Sequence, residues 1–333
     1  MLSLRNLCRK NPNSLYLASI FSRSFSLTSQ NPSPIFEEPS TAYYDNLINA
    51  AGKNNDFKTL HHLLIKRYDD GFFTTKKTFE FITSESNSSI ADIFRTLASL
   101  DEGFCRKMAF DSLIHRLCKL NRTDEALKIV GQIVSSGFEI NAVSFHPILN
   151  SFTRKKKMDG AWKVLEFMRE IGIKPDLTAY NYVLTAFCFN GELTSAADLL
   201  TRMVEEEGLG ADARTYDALV LGTCRSGNLE GALMLLRRME DDGVPMLYST
   251  PVHVITAMLR KGNYAQAVEF VKCYVGRDKC FDEECFGILG FRLVNRGRVE
   301  EAILVLEEMV KRGLEISAPK LRDFYELNVK NKL

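Results

Sequence analysis

The chain has 333 residues, 45% of them hydrophobic, and a formal net charge of +1. No uncharged apolar run reaches the ~18–20 residues that a membrane-spanning helix needs, so we expect neither a transmembrane segment nor a membrane partner. The near-neutral charge excludes a globally basic nucleic-acid binder, and any binding of nucleic acid must therefore come from local placement of charge.

The N-terminal segment differs in composition from the rest of the chain. Residues 1–36 are rich in Ser and contain four basic residues but no acidic one. This pattern is typical of an organelle transit peptide, and the Arg-Ser-Phe-Ser motif at 23–26 is similar to a mitochondrial processing site. We predict that residues 1–40 form a mitochondrial transit peptide and a disordered, Pro-rich linker; a disordered tail with chance charges is the alternative. The expected destination is the mitochondrial matrix, with the chloroplast as the alternative.

From residue 41 onward the sequence repeats itself with a period of about 35 residues. Each block contains two short helical patterns, a turn, and a loop that begins with Gly. Such a period indicates a solenoid, in which each unit buries its apolar face only against its neighbours. The second block is short and degenerate, and we expect irregular structure in its polar stretch, 84–89. The blocks are 41–75, 76–106, 107–141, 142–176, 177–212, 213–247, 248–282 and 283–317, followed by an expected C-terminal capping helix in 318–333.

Particular residue types recur at the same place in several blocks. Ala at the twentieth position is predicted to lie where two helices cross closely, and Met at the twenty-seventh falls on the same apolar face. Gly after the second helix suits a left-handed cap. These positions are Ala126, Ala161, Ala196, Ala232, Ala267 and Ala302, then Met168, Met203, Met239 and Met309, and finally Gly71, Gly137, Gly172, Gly208, Gly243 and Gly313.

The eight Cys and five His form no pattern that predicts a metal site or a catalytic centre. There is no CxxC pair, and Cys280 and Cys285 lack a matching second pair. Cys118, Cys188 and Cys224 share one register of the repeat and are predicted to be small core residues. No Ser–His–Asp order with a nucleophile elbow occurs. We therefore predict no metal, no cofactor, no small-molecule substrate and no catalysis.

The block that ends Gly-Ile-Lys-Pro-Asp at 172–176 is followed by Thr-Ala-Tyr-Asn-Tyr-Val-Leu at 178–184. With the recurrent Ala, Met and Gly, this register resembles the pentatricopeptide repeat family, in particular a short organellar member of its P class, over about residues 41–317. The tetratricopeptide repeat is the near neighbour, but its period is 34 and it lacks the terminal Pro-Asp. The resemblance implies an all-α fold, a right-handed α-solenoid of about seven to eight helical-hairpin repeats. Enzymes of the family carry an added domain, for which we expect no room after the last repeat.

The family binds single-stranded RNA, one nucleotide per repeat, and the resemblance implies that the fifth and last residues of a repeat read the base edge. Asn181 with Asp212 matches a combination that favours uridine in the family. Leu247, Val252 and Gly287, at such positions in later repeats, offer no side-chain hydrogen bond. An apolar second residue implies stacking on the base. The base-reading candidates are Asp45/Thr75, Asp111/Asn141, His146/Asp176 and Asn181/Asp212, and the stacking candidates are Met108 and Val143.

A cation recurs at the thirteenth position, near the end of the first helix. In the family a Lys here contacts phosphate, so the resemblance implies a row of phosphate contacts. The alternative is structural, since a cation near a helix C-terminus is favoured by about 0.3–1 kcal/mol through the helix dipole. The candidates are Lys53, Lys119, Arg154, Arg225 and Arg260.

Two functions fit these features. The first is a non-catalytic organellar adaptor that holds single-stranded RNA for processing, stability or translation. The alternative is a structural or assembly component of the mitochondrial ribosome, with weak or no sequence-specific base reading. The departures from the family's base-reading pairs and the near-neutral charge favour this alternative, whereas Asn181/Asp212 and the row of cations favour the adaptor.

Overall fold

The computed structural model describes residues 39–84, 90–274, 276 and 278–330. The expected transit peptide, up to residue 38, and residues 85–89 of the expected polar stretch lie outside this range. Every regular element of the described residues is helical, and the predicted all-α solenoid is confirmed. None of the described helices is both long enough and apolar enough to cross a membrane.

The helices form seven hairpins within the described residues, with one single helix after the first hairpin and one at the end. In chain order they are α1 Thr41–Lys53, α2 Phe57–Asp69, α3 Ile90–Ala98, α4 Phe104–Lys119, α5 Thr123–Ser135, α6 Ala142–Arg154, α7 Met158–Glu170, α8 Leu177–Asn190, α9 Leu193–Thr201, α10 Ala213–Arg225, α11 Leu229–Asp241, α12 Ser249–Arg260, α13 Tyr264–Tyr274, α14 Lys279–Asn295, α15 Val299–Lys311 and α16 Pro319–Asn328.

The hairpins stack through their first helices. From α4 to α14, each first helix contacts the first helix of the next repeat, and each second helix packs on its own first helix. The second helices α5, α7, α11 and α13 also pack on the first helix that follows them. The last helix, α16, lies on α14 and α15. Contacts therefore run between neighbouring repeats, which is the arrangement of a solenoid.

The recurrent small and flexible residues lie in the interior. All six Ala at the twentieth position are at most 2% exposed, and the four recurrent Met are at most 1% exposed. Small side chains at this place let the two helices of a hairpin approach closely. The three Cys that share a register are also buried, as predicted.

The predicted glycine caps are confirmed, because all six predicted glycines have a positive φ. A second left-handed residue ends each first helix, which the sequence reasoning missed. It is always the fifteenth residue of the repeat, in four repeats a Gly and in three a residue with a side chain, and the members are Asn55, Asn121, Lys156, Gly191, Gly227, Gly262 and Gly297.

The block 177–212 is one residue longer than the period, and a π-helical turn absorbs the extra residue. This turn, Arg202–Glu206, directly follows α9. A single-turn π bulge accommodates one inserted residue without breaking the helix. The cap glycine, Gly208, therefore arrives one place later than in the other blocks while Met203 stays 1% exposed in the core.

The degenerate block 76–106 has no first helix in its described residues. Residues 76–81 form turns instead, and Asn49 of α1 holds them: its Nδ2 donates to the Lys77 carbonyl at 2.8 Å and its Oδ1 accepts from the Phe81 amide at 2.7 Å. From the other side, Arg116 of α4 donates to the Ile82 carbonyl at 2.7 Å. This turn segment, 76–84, thus lies between α1 and α4, where a first helix was expected.

Candidate nucleic-acid interface

Two neighbouring clefts between first helices bring several of the predicted residues together. The basic cleft, of about 670 Å³, lies between α4, α6 and α8 and is lined by the candidates Lys119, Val143, His146 and Arg154. The aromatic cleft, of about 520 Å³, lies between α6, α8 and α10 and is lined by Arg154, Asn181, Tyr182 and Phe189. Both clefts share Asn150, Arg154 and Tyr182, and they therefore form one continuous surface.

Positive charge dominates this surface. The lining of the basic cleft includes Lys76 and Lys155 besides Lys119 and Arg154, and the described lining contains no carboxylate. The aromatic cleft adds Lys156 and Arg214, with Asp217 as the one carboxylate among its described lining residues. A concave surface with cations and few acids attracts a polyanion.

The Asp217 carboxylate is engaged in hydrogen bonds within the protein. Its carboxylate accepts hydrogen bonds from the Ser249 and Thr250 hydroxyls, both at 2.8 Å, and lies 3.4 Å from His253 Nε2. Burial alone would raise the pKa of Asp217, but the bonds from these three side chains outweigh it and hold the pKa below its ordinary value. Asp217 is therefore ionised at neutral pH and joins α10 to α12.

The five predicted phosphate contacts are each the last residue of a first helix, and all five are exposed. Within the described residues none of them forms an ion pair, so their charge is available to a ligand. Their place at the helix end is also what the dipole explanation requires. Lys53 stands apart from the other four, because the turn segment 76–84 separates α1 from α4.

Three of the four predicted base-reading pairs are in hydrogen-bond contact. His146 Nε2 lies 2.8 Å from the nearer Asp176 oxygen, and Asn181 Nδ2 donates to Asp212 at 3.0 Å. The Thr75 hydroxyl donates to Asp45 at 2.7 Å.

The fourth pair is not joined in the described structure. Asp111 contacts the Lys107 ammonium at 2.6 Å, and Asn141 accepts from the Val143 amide as the N-cap of α6.

The fifth residue of a repeat also accepts a hydrogen bond that the sequence reasoning missed. In four repeats it accepts from a buried hydroxyl at the third position of the next repeat. The bonds are Thr78 to Asp45 at 2.9 Å, Ser144 to Asp111 at 2.5 Å, Thr215 to Asn181 at 2.8 Å and Thr250 to Asp217 at 2.8 Å. We call these the inter-repeat hydroxyl bonds. A buried hydroxyl without a partner is costly, so these bonds help to hold neighbouring repeats together.

At Asn181 an inter-repeat hydroxyl bond occupies a side chain that is predicted to read a base. Its side chain is 4% exposed, and its amide donates to Asp212 while its oxygen accepts from Thr215. Burial alone would raise the pKa of Asp212, but hydrogen bonds from Thr215 and Asn181 outweigh it and hold the pKa below its ordinary value. A base edge must exchange one of these internal bonds or use the outer part of Asp212. The base-reading role of the pair stays a prediction.

Asp45 forms a buried ion pair in addition to its hydrogen bonds. Its carboxylate forms an ion pair of 2.7 Å with Arg67, and the two side chains are 7% and 1% exposed. Arg67 occupies the twenty-seventh position, where four other repeats have Met. The pair Asp45/Thr75 therefore belongs to the interior of the first repeat. Its predicted role in base reading stays untested.

Of the two stacking candidates, Val143 is 52% exposed and Met108 is partly buried. Sequence reasoning missed the aromatic side chains of the clefts, Tyr182 and Phe189. The signal for Phe189 was present in the sequence, because it stands at the thirteenth position, where five other repeats carry a cation. Nothing comparable marks Tyr182, whose ring centre lies 6.0 Å from that of His146.

Comparisons with known proteins agree with the repeat pattern. A family model described as pentatricopeptide repeat-containing protein matches residues 89–203, and a PPR repeat model matches residues 214–244 and 286–314. Two mitochondrial pentatricopeptide repeat-containing proteins of Arabidopsis thaliana are similar to the chain. One is 44% identical over 98% of this chain and 94% of its own, and the other is 45% identical over 95% and 89%.

Two weaker similarities accompany these matches. The small ribosomal subunit protein mL103 (rPPR7) of Arabidopsis thaliana is 22% identical over 50% of each chain. Among solved structures, that of the pentatricopeptide repeat protein PPR10 in complex with an 18-nt psaJ RNA element has a TM-score of 0.48 and 18% identity, and it covers 82% of this chain and 39% of that one.

Proposed function

The chain belongs to the pentatricopeptide repeat family, and from this premise we propose that it is a non-catalytic mitochondrial adaptor that binds single-stranded RNA. The RNA lies along the basic and aromatic clefts. The observation that carries this proposal is the continuous cleft surface, where helix-end cations without an ion pair among the described residues lie beside the exposed Phe189 ring and the partly buried Tyr182 ring. Phosphates and unstacked bases are the two features of single-stranded RNA, and cations and aromatic rings are the groups that bind them.

The distribution of charge supports this choice of face. The first helix α4 carries four bases, Arg106, Lys107, Arg116 and Lys119, against one acid. The second helix α15 carries four acids, Glu300, Glu301, Glu307 and Glu308, against one base. From α4 to α13 the first helices are neutral or basic and the second helices are neutral or acidic, so a polyanion is directed to the first helices of this part of the chain.

The mitochondrion is the proposed location, and the matrix the proposed compartment. Two relatives that match nearly the whole chain are named as mitochondrial proteins. The Ser-rich, acid-free composition of residues 1–36 points the same way. A fusion of these residues to a fluorescent reporter should accumulate in mitochondria, and accumulation in plastids would support the alternative instead.

Charge reversal along the cation row tests RNA binding. In gel shifts on single-stranded fragments of mitochondrial transcripts, the double variant Arg154→Glu, Arg225→Glu should lose most of its affinity, because two attractions become repulsions. The matched control is Lys163→Glu, Arg237→Glu, which changes the net charge equally but on the exposed faces of α7 and α11. Equal affinities for the two double variants would contradict the proposal.

A second candidate is a component of the mitochondrial ribosome, without specific base reading. The similarity to mL103 favours it, and so does the internal hydrogen bonding of the fifth residues. Sucrose-gradient sedimentation of mitochondrial extract separates the two functions. Co-sedimentation with a ribosomal subunit that survives high salt would favour the ribosomal role, and recovery with small RNA–protein particles would favour the adaptor.

A further inference from the structure

One repeat departs from the row of cations. The thirteenth residue of block 177–212 is Phe189 at the end of α8, and its ring is 47% exposed. A large aromatic side chain is unusual at the thirteenth position, which in the other six clear repeats is polar or charged. Its neighbours in the row are Arg154 on α6 and Arg225 on α10.

The two arginines relate to Phe189 in different ways. The Arg225 guanidinium carbon lies 4.3 Å from the centre of the Phe189 ring, a cation–π contact that covers part of the ring. Arg154 instead lines the aromatic cleft, together with Phe189 itself. The Arg225 guanidinium therefore contacts the Phe189 ring, while that ring and Arg154 both border the open space of the aromatic cleft.

The cleft has the size and lining of a ligand site. Its volume of about 520 Å³ falls within the range of about 300–1,000 Å³ that is common for small-molecule pockets. Apolar parts of Tyr182, Ala186 and Phe189 line it, while Arg154 and Arg214 supply positive charge from either side. A flat, apolar group that is attached to an anion matches this combination.

We propose that the aromatic cleft holds one unstacked nucleobase of the RNA, stacked on the Phe189 ring and facing the Arg154 guanidinium, while Arg225 supports the ring from its other side. This inference rests on the proposed RNA binding and adds a position at which the RNA is held by stacking. Aromatic rings and guanidinium planes both stack on bases. Because every base has a π-face, the site accepts any base.

The position differs from the base-reading pair of the same repeat. Asn181 lies two helical turns before Phe189 on α8 and is buried, whereas Phe189 is exposed at the helix end. The stacked base therefore occupies the end of the cleft where other repeats present a cation. At this repeat an aromatic contact takes the place of a phosphate contact.

Substitution of Phe189 in the full chain tests the site. Phe189→Leu keeps an apolar side chain but removes the ring, and Phe189→Trp keeps an aromatic surface. The matched control is Phe73→Leu, which removes a ring that is 53% exposed but lies outside both clefts. Affinity is measured by fluorescence anisotropy with single-stranded oligouridylate and with an oligomer of equal length that carries phosphates but abasic sugars.

For oligouridylate we expect Phe189→Leu to weaken binding by about 5- to 150-fold, the loss that corresponds to about 1–3 kcal/mol for one stacked base. Phe189→Trp and Phe73→Leu should bind like the unaltered protein. On the abasic oligomer, Phe189→Leu should match the unaltered protein, because the partner of the ring is missing. If Phe189→Leu weakened binding to both oligomers equally, the ring would contribute to folding and not to a contact with a base. That result would overturn the inference.

A spectroscopic readout comes from the single Trp of the chain, Trp162 on α7. In a Trp162→Phe background, Phe189→Trp places the reporter in the site, and oligouridylate should quench its fluorescence while the abasic oligomer should not.

Normal binding by Phe189→Leu, together with loss of binding in Arg154→Glu, Arg225→Glu, would overturn the stacking site but leave the proposed function standing. Failure of the unaltered protein to bind any RNA would overturn both.

Discussion

At the scale of single residues, the fifth position of a repeat forms a hydrogen bond to the next repeat in four cases. Where it is Asp or Asn and a following repeat is described, the next repeat offers a buried Ser or Thr hydroxyl to it. Where it is His146, the third residue of the next repeat is Ala179, and where it is Val252, that residue is Cys285. The residue types at the two positions therefore vary together along the chain, because a buried hydroxyl needs an acceptor.

The first repeat offers a direct test of this arrangement. Arg67→Met should lower the free energy of unfolding by about 3–5 kcal/mol, because it leaves the Asp45 carboxylate buried without its counter-ion. The double variant Asp45→Asn, Arg67→Met should recover most of this loss. It copies the combination of Asn181, Met203 and Thr215 that the chain already uses between later repeats.

Urea unfolding followed by circular dichroism measures both variants. Arg67 Nε and Nη2 are buried without a hydrogen-bond partner among the described residues, which adds to the cost of the native pair. If the double variant were as unstable as Arg67→Met alone, the loss of stability would come from removal of the ion pair and not from the unpaired Asp45 carboxylate.

Backbone strain is a second property of single residues. Lys156 has φ +56°, in the left-handed region where four other repeats place Gly. Lys156→Gly should raise the free energy of unfolding by roughly 0.5–1 kcal/mol, since the relief of about 1–2 kcal/mol exceeds the added entropy loss of Gly. Lys157→Gly, at φ −88°, is the control and should bring no gain. Equal effects of the two in a urea titration would contradict this explanation.

At the scale of the elements, a segment of turns can occupy the place of a first helix in the stack. The turn segment 76–84 takes the place of a first helix, and the ring of Phe81 packs directly against Gly52 of α1. The hydrogen bonds from Asn49 and Arg116 satisfy backbone groups that a helix would have paired internally. The stack therefore continues with less regular structure.

Two glycine substitutions within helices test this packing. A Cβ on Gly52 would lie 2.4 Å from the Phe81 ring, and Phe81 is 6% exposed. Gly52→Ala should therefore lower the free energy of unfolding by about 1–3 kcal/mol. Gly131, inside α5, has no such neighbour within 4 Å, and Gly131→Ala should stabilise by about 0.5–1 kcal/mol. Thermal unfolding of both variants would show opposite shifts, and shifts of the same sign would contradict the proposed contact.

At the scale of the whole chain, charge is distributed unevenly, because the first helices from α4 to α12 are neutral or basic and the second helices from α5 to α13 are neutral or acidic. A net charge near zero removes long-range attraction for nucleic acid in general, while the clefts retain a local attraction. The four cations from Lys119 to Arg260 lie on stacked first helices, and Lys53 lies beyond the turn segment 76–84.

The salt dependence of RNA binding should reflect this separation. Each of Lys119→Gln, Arg154→Gln, Arg225→Gln and Arg260→Gln should reduce the slope of log affinity against log salt by about 0.7, the value for one phosphate on a single strand. Lys53→Gln should leave the slope unchanged. Filter binding over a series of salt concentrations measures it, and an equal change for Lys53→Gln would show that RNA also crosses the turn segment.

The period, the hairpins, the buried Ala and Met and the glycine caps can all be derived from the amino-acid sequence. These follow from apolar spacing and from the conformational limits of single residues, and both are local properties. Only the folded chain shows that Asn181 and Asp45 each accept a hydrogen bond from the next repeat and that residues 76–84 take the place of a helix. It also brings Arg154, Phe189 and Tyr182 together in one cleft. Side chains about one repeat apart in the sequence become partners only when the helices stack, because the rotation between repeats sets which of them face each other.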